Sequence, residues 1–169
     1  MTSAANQLLT AQQTRQKIRR MAYEVYENNF LEQGMVLAGV CDKGYQLAEL
    51  LRTELAAISP LRIALVRVDF DKQRPLQSPV ALDCPPDALR HQCIVLLDDV
   101  LNTGRTLAHS LRPFLELEIK KLQTAVLVRR HHARFPVAAD YVGYSLATTL
   151  SEHVEVVLDD TEAFGVYLS

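Results

Sequence analysis

Two adjacent carboxylates, Asp98 and Asp99, follow directly on the apolar run Ile94-Val95-Leu96-Leu97 and precede the small polar turn Asn102-Thr103-Gly104-Arg105-Thr106. Such an apolar run is what a buried parallel strand supplies, so the acids are predicted at an exposed strand tip, where side chains serve a ligand rather than the core. Gly104 can take positive φ, hydroxyls flank it, and a helix predicted to run on from Thr106 would aim its first N–H groups at an anion, most naturally a phosphate. Carboxylates accept hydrogen bonds from hydroxyls while amides donate to phosphate oxygens. Together they fit a ligand with vicinal hydroxyls close to a phosphate, such as ribose 5-phosphate. Neither competing nucleotide loop, Gly-x-x-x-x-Gly-Lys-Ser/Thr or Gly-x-Gly-x-x-Gly, occurs in the chain.

Strands alternating with helices would hold such a tip. Leu8 to Phe30 has helical periodicity through Ile18, Met21, Ala22, Val25 and Tyr26, with Arg15, Lys17, Arg19 and Arg20 giving a basic side. Met35 to Val40 reads as a strand ending in a polar loop, Cys41-Asp42-Lys43-Gly44, before a helix pattern resumes from Tyr45 to Leu55. Lys43 could hold a second anion there, since ligands of open parallel sheets sit outside the strand tips. Leu61 to Phe70 is a further strand, leaving Arg67 and Asp69 to find water or partners.

Regularity stops from Asp71 to Arg90, where Pro75, Pro79, Pro85 and Pro86 allow only Val80-Ala81-Leu82 a brief strand. A loop this long in a compact domain is functional or disordered. Leu107 to Leu117 should be helical, and Pro113 means that it either kinks or starts afresh near Arg112. Gln123 to Val128 is another buried strand, followed by the cationic cluster Arg129-Arg130-His131-His132-Ala133-Arg134. Sequence-adjacent histidines chelate a metal poorly, and no Cys or carboxylate stands at ligand spacing. Asp140 to Tyr144, Val154 to Leu158 and Phe164 to Leu168 close the chain, the last two joined by a turn at Asp159-Asp160. The alternation predicts an α/β domain with a mostly parallel central sheet of about four to five strands flanked by helices.

With 169 residues and 49% hydrophobic content, residues 1–169 make one domain. A net charge of -2 argues against a generic nucleic-acid binder and leaves only a local basic patch for RNA. Cys41, Cys84 and Cys93 are odd in number and lack Cys-x-x-Cys spacing, which points to reduced thiols and a cytoplasmic protein. Met1 to Gln13 is polar without a signal core and no apolar run has membrane length, so export and membrane insertion are not expected.

From Ile94 to Thr106 the chain resembles the phosphoribosyl-diphosphate (PRPP) signature of type I phosphoribosyltransferases: four apolar residues, two acids, then a Thr-Gly turn. Within that family it is most similar to the bacterial pyrimidine-operon regulators that double as uracil phosphoribosyltransferases. The likeness runs through Arg20 to Val25 with Asn28, Gly39-Val40, Asp98 to Leu101, Thr103 to Thr106, Leu122-Gln123, Ala125 to Val128 and Asp140 to Gly143. The resemblance implies the family's α/β fold with a small hood and a flexible flap over residues 71–90. It also implies Mg2+-dependent transfer of ribose 5-phosphate from PRPP to a nucleobase. Asp98 and Asp99 would act catalytically, holding the ribose hydroxyls and magnesium, directly or through water. Val100, Leu101, Asn102, Thr103, Gly104, Arg105 and Thr106 would complete the PRPP site, and Asp42, Lys43 and Gly44 would accept pyrophosphate. Lys72 and Arg74 would act from the flap. Arg130, Tyr141, Val142 and Gly143, in the base-side and C-terminal segment 129–169, would meet the base, and a homodimer or higher homo-oligomer is expected.

Departures fall at ligand-facing places. The regulators have Thr-Arg-Gly where Asp42-Lys43-Gly44 stands, Asp-Arg-Gly-His where Arg129 to His132 stand, and Lys-Asn where Tyr144-Ser145 stand. Their flap motif Tyr-Arg-Asp is missing. Many 6-oxopurine members carry an aspartate at the place of Asn102 that takes part in base proton transfer. Asn102 has no titratable carboxylate, so a pyrimidine, uracil first, ranks above a purine. The rival reading is an RNA-binding regulator of pyrimidine genes, with PRPP or a nucleotide as effector and the basic helix and Arg129 to Arg134 as the RNA patch.

Overall fold

The computed structural model describes residues 6–149 and 151–169, so Met1 to Ala5 of the polar leader lie outside the described residues. The elements run β1 (Gln7–Leu9), α1 (Ala11–Asn29), β2 (Gly34–Val40), α2 (Cys41–Ile58), β3 (Arg62–Asp69), β4 (Ala81–Leu82), β5 (Cys93–Leu101), α3 (Arg105–Ser110), α4 (Arg112–Leu115), β6 (Lys121–Arg130), β7 (Tyr141–Leu146), β8 (Val154–Val157) and β9 (Gly165–Leu168). Six strands form the central sheet in the order β4-β3-β2-β5-β6-β7. All are parallel except β4, which closes the β3 edge antiparallel. The sheet therefore exceeds the expected four to five strands by a two-residue edge strand inside the flap region. It is otherwise the α/β architecture anticipated.

Side chains along the inner strands alternate between two apolar layers, as parallel strands covered on both faces must. Met35, Leu37, Val95 and Leu97 pack under α1 and α2 with Met21, Leu47 and Leu51, while Val36, Ala38, Ile94 and Leu96 pack under Leu89, Leu107 and Phe114. A second, three-stranded antiparallel sheet, β1-β9-β8, joins the two ends of the chain and forms the hood. Leu8 and Leu9, expected in the first helix, belong to this hood. The helix starts later because Thr10 and Gln13 form a capping box: the Gln13 N–H donates to Thr10 Oγ1 at 3.2 Å and the Thr10 N–H to Gln13 Oε1 at 3.0 Å.

Two expected boundaries move for physical reasons, and the helix at Pro113 takes one of its two expected forms. Cys41 to Gly44 is no loop: β2 turns straight into α2, a junction made possible by Cys41 at φ 53°, in the left-handed region that non-glycine residues rarely occupy. At Pro113 the helix starts afresh, with α4 opening at Arg112 so that the proline falls in its first turn, where no donor is missed. β6 runs on through Arg129 and Arg130, so two members of the cationic cluster are strand residues.

The tight β2–α2 junction depends on a missing side chain. A Cβ on Gly39 would stand 2.3 Å from Tyr45 Cα and 2.6 Å from the Gly44 carbonyl oxygen, both backbone atoms that cannot swing aside. Gly39→Ala should cost about 3 kcal/mol or more, read as a lower urea midpoint at unchanged slope. Wild-type stability in that variant would mean that the strand and helix do not touch there.

Candidate functional site

Parallel pairing brings the C-terminal ends of β2, β5 and β6 to one edge, and the chemistry collects there. Asp98 lies level with Val126 of β6, and Val100 and Leu101 with Val128 and Arg129. Asp98 is only 2% exposed, which corrects the expectation of two exposed carboxylates; Asp99, one residue on, is half-buried. Asp98 Oδ1 accepts the Asp99 N–H at 2.9 Å and faces Lys72 Nζ at 3.4 Å. Burial pushes the Asp98 carboxyl well above its ordinary value, the neighbouring Asp99 charge adds to the rise, and Lys72 opposes it. Burial works against the charge on Lys72, yet Asp98 and Asp99 outweigh it and hold the ammonium above the usual lysine range. A flap lysine thus serves as counterion to the strand-tip pair.

Beyond the acids, Gly104 takes φ 88°, and the Thr103 hydroxyl accepts the Arg105 N–H at 3.3 Å. Asp98 and Val100 to Leu107 line a small cleft of about 30 Å³ at this turn. The segment after β6 backs the loop: the N–H groups of Arg134 and Phe135 both donate to the Thr103 carbonyl, at 2.8 and 3.0 Å. Backbone rigidity of this kind suits an anion cradle, because the donors are set before the ligand arrives.

Asp42, Lys43 and Gly44 form the first turn of α2. Asp42 is paired with Arg67, which also donates to Asp69 at 2.9 Å and stands over the Tyr45 ring at 5.5 Å. The Asp42 charge is therefore answered by Arg67, leaving Lys43 and the helix-start amides as the groups at this turn whose chemistry could hold an anion. Lys43 opens onto a wide cleft of about 1040 Å³ shared with Glu155, Val157, Asp159 and Asp160 of the hood. Arg74 is exposed and makes no side-chain bond among the described residues.

The base-side residues divide. Arg130 is 8% exposed and donates to Asn102 Oδ1 at 3.0 Å, Thr148 Oγ1 at 2.8 Å and the Thr149 and Glu152 carbonyls at 3.0 and 2.6 Å. Tyr141 points into the core, where its hydroxyl donates to Gln123 Oε1 at 2.9 Å. Arg20 donates to the carbonyls of Val142 and Gly143, at 3.1 and 2.6 Å. Register places Tyr141 and Val142 beside Ala125 and Val126, in the middle of β6, whereas Tyr144, Ser145 and Leu146 stand beside Val128, Arg129 and Arg130 at the site edge. The residues at that edge are thus Tyr144 to Leu146 rather than Tyr141 to Gly143. Sequence reasoning had Tyr144 and Ser145 at ligand-facing places but left Leu146 and Arg67 out of the site; a charged pair two residues apart at the end of a strand, Arg67 and Asp69, was the available signal for the latter.

Among the described residues, no group of three or more His, Cys, Asp or Glu side chains could hold a metal by itself, and no helix is long and apolar enough to cross a membrane. Arg15 stacks on Phe164 at 4.1 Å and Lys17 lies 6.0 Å from the Tyr144 ring, so much of the basic side of α1 is spent within the fold.

Residues 4–161 match the phosphoribosyl transferase domain family. The "Bifunctional protein PyrR" of Chloroflexus aurantiacus is 35% identical over 164 residues, 92% of this chain and 90% of that protein. The protein of the same name from Deinococcus deserti is 35% identical over 170 residues, 96% and 92% of the two chains. Among solved structures, a hypoxanthine phosphoribosyltransferase of Trypanosoma cruzi in a ternary substrates complex superposes with TM-score 0.76 at 19% identity, over 96% of this chain and 94% of that one. A hypoxanthine-guanine phosphoribosyltransferase of Bacillus anthracis gives TM-score 0.76 at 14% identity, over 99% and 98%.

Because burial raises the native Asp98 value, the stability Asp98 contributes is full below the ordinary carboxylate range and is lost as pH rises through that elevated value. Asn is neutral throughout and escapes the loss. Asp98→Asn should melt about 2–4 °C higher than wild type at neutral pH, corresponding to ~1 kcal/mol, with the gap closing near about pH 4. A melting point that falls equally at both pH values would mean that the buried carboxylate stabilises the fold.

Proposed function

Since the chain belongs to the phosphoribosyl transferase domain family and transfers phosphoribosyl groups from PRPP, we propose that its acceptor is a pyrimidine, uracil first, and that Mg2+ accompanies PRPP. The observation that carries the site assignment is the buried Asp98 beside half-buried Asp99, running directly into the rigid turn around Gly104. Asp98 and Asp99 hold the ribose hydroxyls, and their charge favours the positive character that develops at C1 as the bond to pyrophosphate weakens. Asn102 to Thr106 hold the 5-phosphate, and Lys43 with the amides that open α2 receives pyrophosphate. A lone pair on the base nitrogen forms the new bond to C1, the C1–O electron pair leaves with pyrophosphate, and the nitrogen proton passes to solvent.

Two carboxylates without further protein ligands suit magnesium, which keeps waters and takes most of its oxygens from substrate phosphates. When bound, the ion neutralises the leaving group. Lys72, at 3.4 Å from Asp98, ties the flap to the acids, and closure of that segment would keep water from the reacting C1. Tyr23, Phe30 and Leu31, exposed on and just after α1, offer an apolar surface for a second copy in a homo-oligomer.

Pyrophosphate release from PRPP and magnesium should be fastest with uracil among uracil, orotate, hypoxanthine, guanine, xanthine and adenine. Faster turnover of hypoxanthine or guanine would end the pyrimidine assignment. Transfer with none of them, alongside a salt-dependent shift of a pyrimidine-operon leader RNA absent for scrambled RNA, would favour the regulator reading. For that reading Arg19, His131 and Arg134 remain exposed as basic contacts.

Gly104→Val forces a β-branched residue to φ 88° beside the phosphate and should weaken PRPP binding at least about tenfold in calorimetry. Unchanged affinity would move the phosphate cradle elsewhere.

A further inference from the structure

The guanidinium of Arg130 is buried, and none of its four described acceptors, Asn102 Oδ1, Thr148 Oγ1 and the Thr149 and Glu152 carbonyls, is a carboxylate. A guanidinium offers only donors, so the atom that Asn102 turns toward it must be the amide oxygen, whichever way an amide might otherwise be fitted. The Asn102 NH2 group is therefore forced to face away from Arg130, and it has no acceptor among the described residues. Asn102 is itself exposed at the site edge, next in chain to Leu101, which pairs with Arg129, and Arg129 in turn donates to Ser145 Oγ at 3.0 Å. Its amide thus stands between the phosphate turn and the segment after β7.

We propose that Asn102, oriented by Arg130, is a specificity-determining residue that presents a hydrogen-bond donor to the base, reading the 2-oxo group beside the attacking nitrogen of a pyrimidine. This rests on the phosphoribosyl-transfer reading above and names the atom of the base that is read. In uracil the attacking N1 is flanked by the C2 carbonyl. As N1 forms its bond to C1 of the ribose and gives its proton to solvent, negative charge spreads from the ring nitrogen onto O2 and O4. A fixed N–H donor at O2 gains strength as that charge grows. A purine that must shed a proton from its imidazole ring meets a neutral donor with no lone pair to take it. An aspartate at the same place would pair with Arg130 and present an acceptor instead, so the polarity of this one position is inverted by a single atom change. Arg130 acts here as a positioning residue, through Asn102.

The test compares calorimetric binding of uridine 5-monophosphate with that of its analogue lacking the 2-oxo group, the 4-pyrimidinone nucleotide, to wild type and to Asn102→Ala. Wild type should prefer the 2-oxo nucleotide by about tenfold, the worth of one hydrogen bond left unmade, and in Asn102→Ala the ratio should fall to about one. A preference that survives in Asn102→Ala overturns the proposal, as does a wild type that treats both nucleotides alike. Arg130→Lys, which still only donates, should keep the preference, whereas Arg130→Gln, which can donate or accept, should lower it. The same ratio in both variants would remove Arg130 from the assignment. Ribose 5-phosphate, run in parallel, separates the two levels of the argument. If it binds while the nucleotides are not distinguished, the donor assignment fails and phosphoribosyl recognition stands; if neither it nor either nucleotide binds, both fall.

Discussion

The close approach of the start of α2 to the tips of two strands is the constraint from which the rest of the site follows. A Cβ on Gly44 would stand 2.6 Å from the Leu97 carbonyl oxygen of β5 and 3.4 Å from Asp98 Cα, so the first turn of α2 lies directly on the strand that carries the acids. That contact removes water from one side of Asp98 and raises its proton affinity. It also sets a helix start, with its donors and its partial positive charge, beside the carboxylates without a connecting loop. The left-handed backbone at Cys41 follows from the same geometry, since a strand that enters a helix in one residue has to reverse its path there.

Charge is balanced differently around this edge, and the differences say which groups a ligand can claim. Asp42 is answered by Arg67, a pair exposed enough to be worth little in stability but sufficient to offset a carboxylate at the start of α2. Among the described residues, Asp98 and Asp99 share one cation, Lys72, which comes from the irregular segment after β3. A ligand that brings hydroxyls and a divalent ion supplies what Lys72 only partly supplies. Arg130 is the reverse case, a buried cation met by neutral acceptors alone, and its field reaches the phosphate turn through Asn102.

Much of the fold and the heart of the site were legible because both are written in local patterns. Apolar runs broken by acids mark strand tips whatever the tertiary context, and the turn around Gly104 carries its own backbone requirement. The hood was less legible, since Gln7–Leu9 becomes a strand only by pairing with β9 at the far end of the chain. The apolar face of Leu8 and Leu9 continued the helix pattern, and only the Thr10–Gln13 capping box marked the true start. Asp42 to Gly44 read as a loop because no local signal announces a helix whose first residue adopts positive φ. Tyr141 was assigned to the base from its motif without its register, and register places it three residues short of Tyr144 at the site edge. For side chains that act through long-range partners, Arg67 with Asp42 and Arg130 with Asn102, the sequence singles out the residue but not the partner, which lies 25 and 28 positions away.

Likeness of fold and likeness of sequence point to differently named relatives of this chain. Its backbone superposes on purine phosphoribosyltransferases at 14–19% identity, while its sequence lies nearer proteins named PyrR. A shared backbone cannot decide the base, because on the proposed reading the sheet edge, the turn around Gly104 and the strand-tip acids serve the ribose phosphate that phosphoribosyl transfers have in common. What distinguishes one base from another is the donor or acceptor met by its ring atoms, and that is set by side chains whose orientation is imposed from behind. Here the imposing group is a guanidinium that can only donate, at the end of the strand next to the phosphate turn. It fixes an amide oxygen inward and leaves the amide N–H groups for the ligand. On the reading proposed above, the base is read by the polarity of Asn102, a property the backbone does not carry.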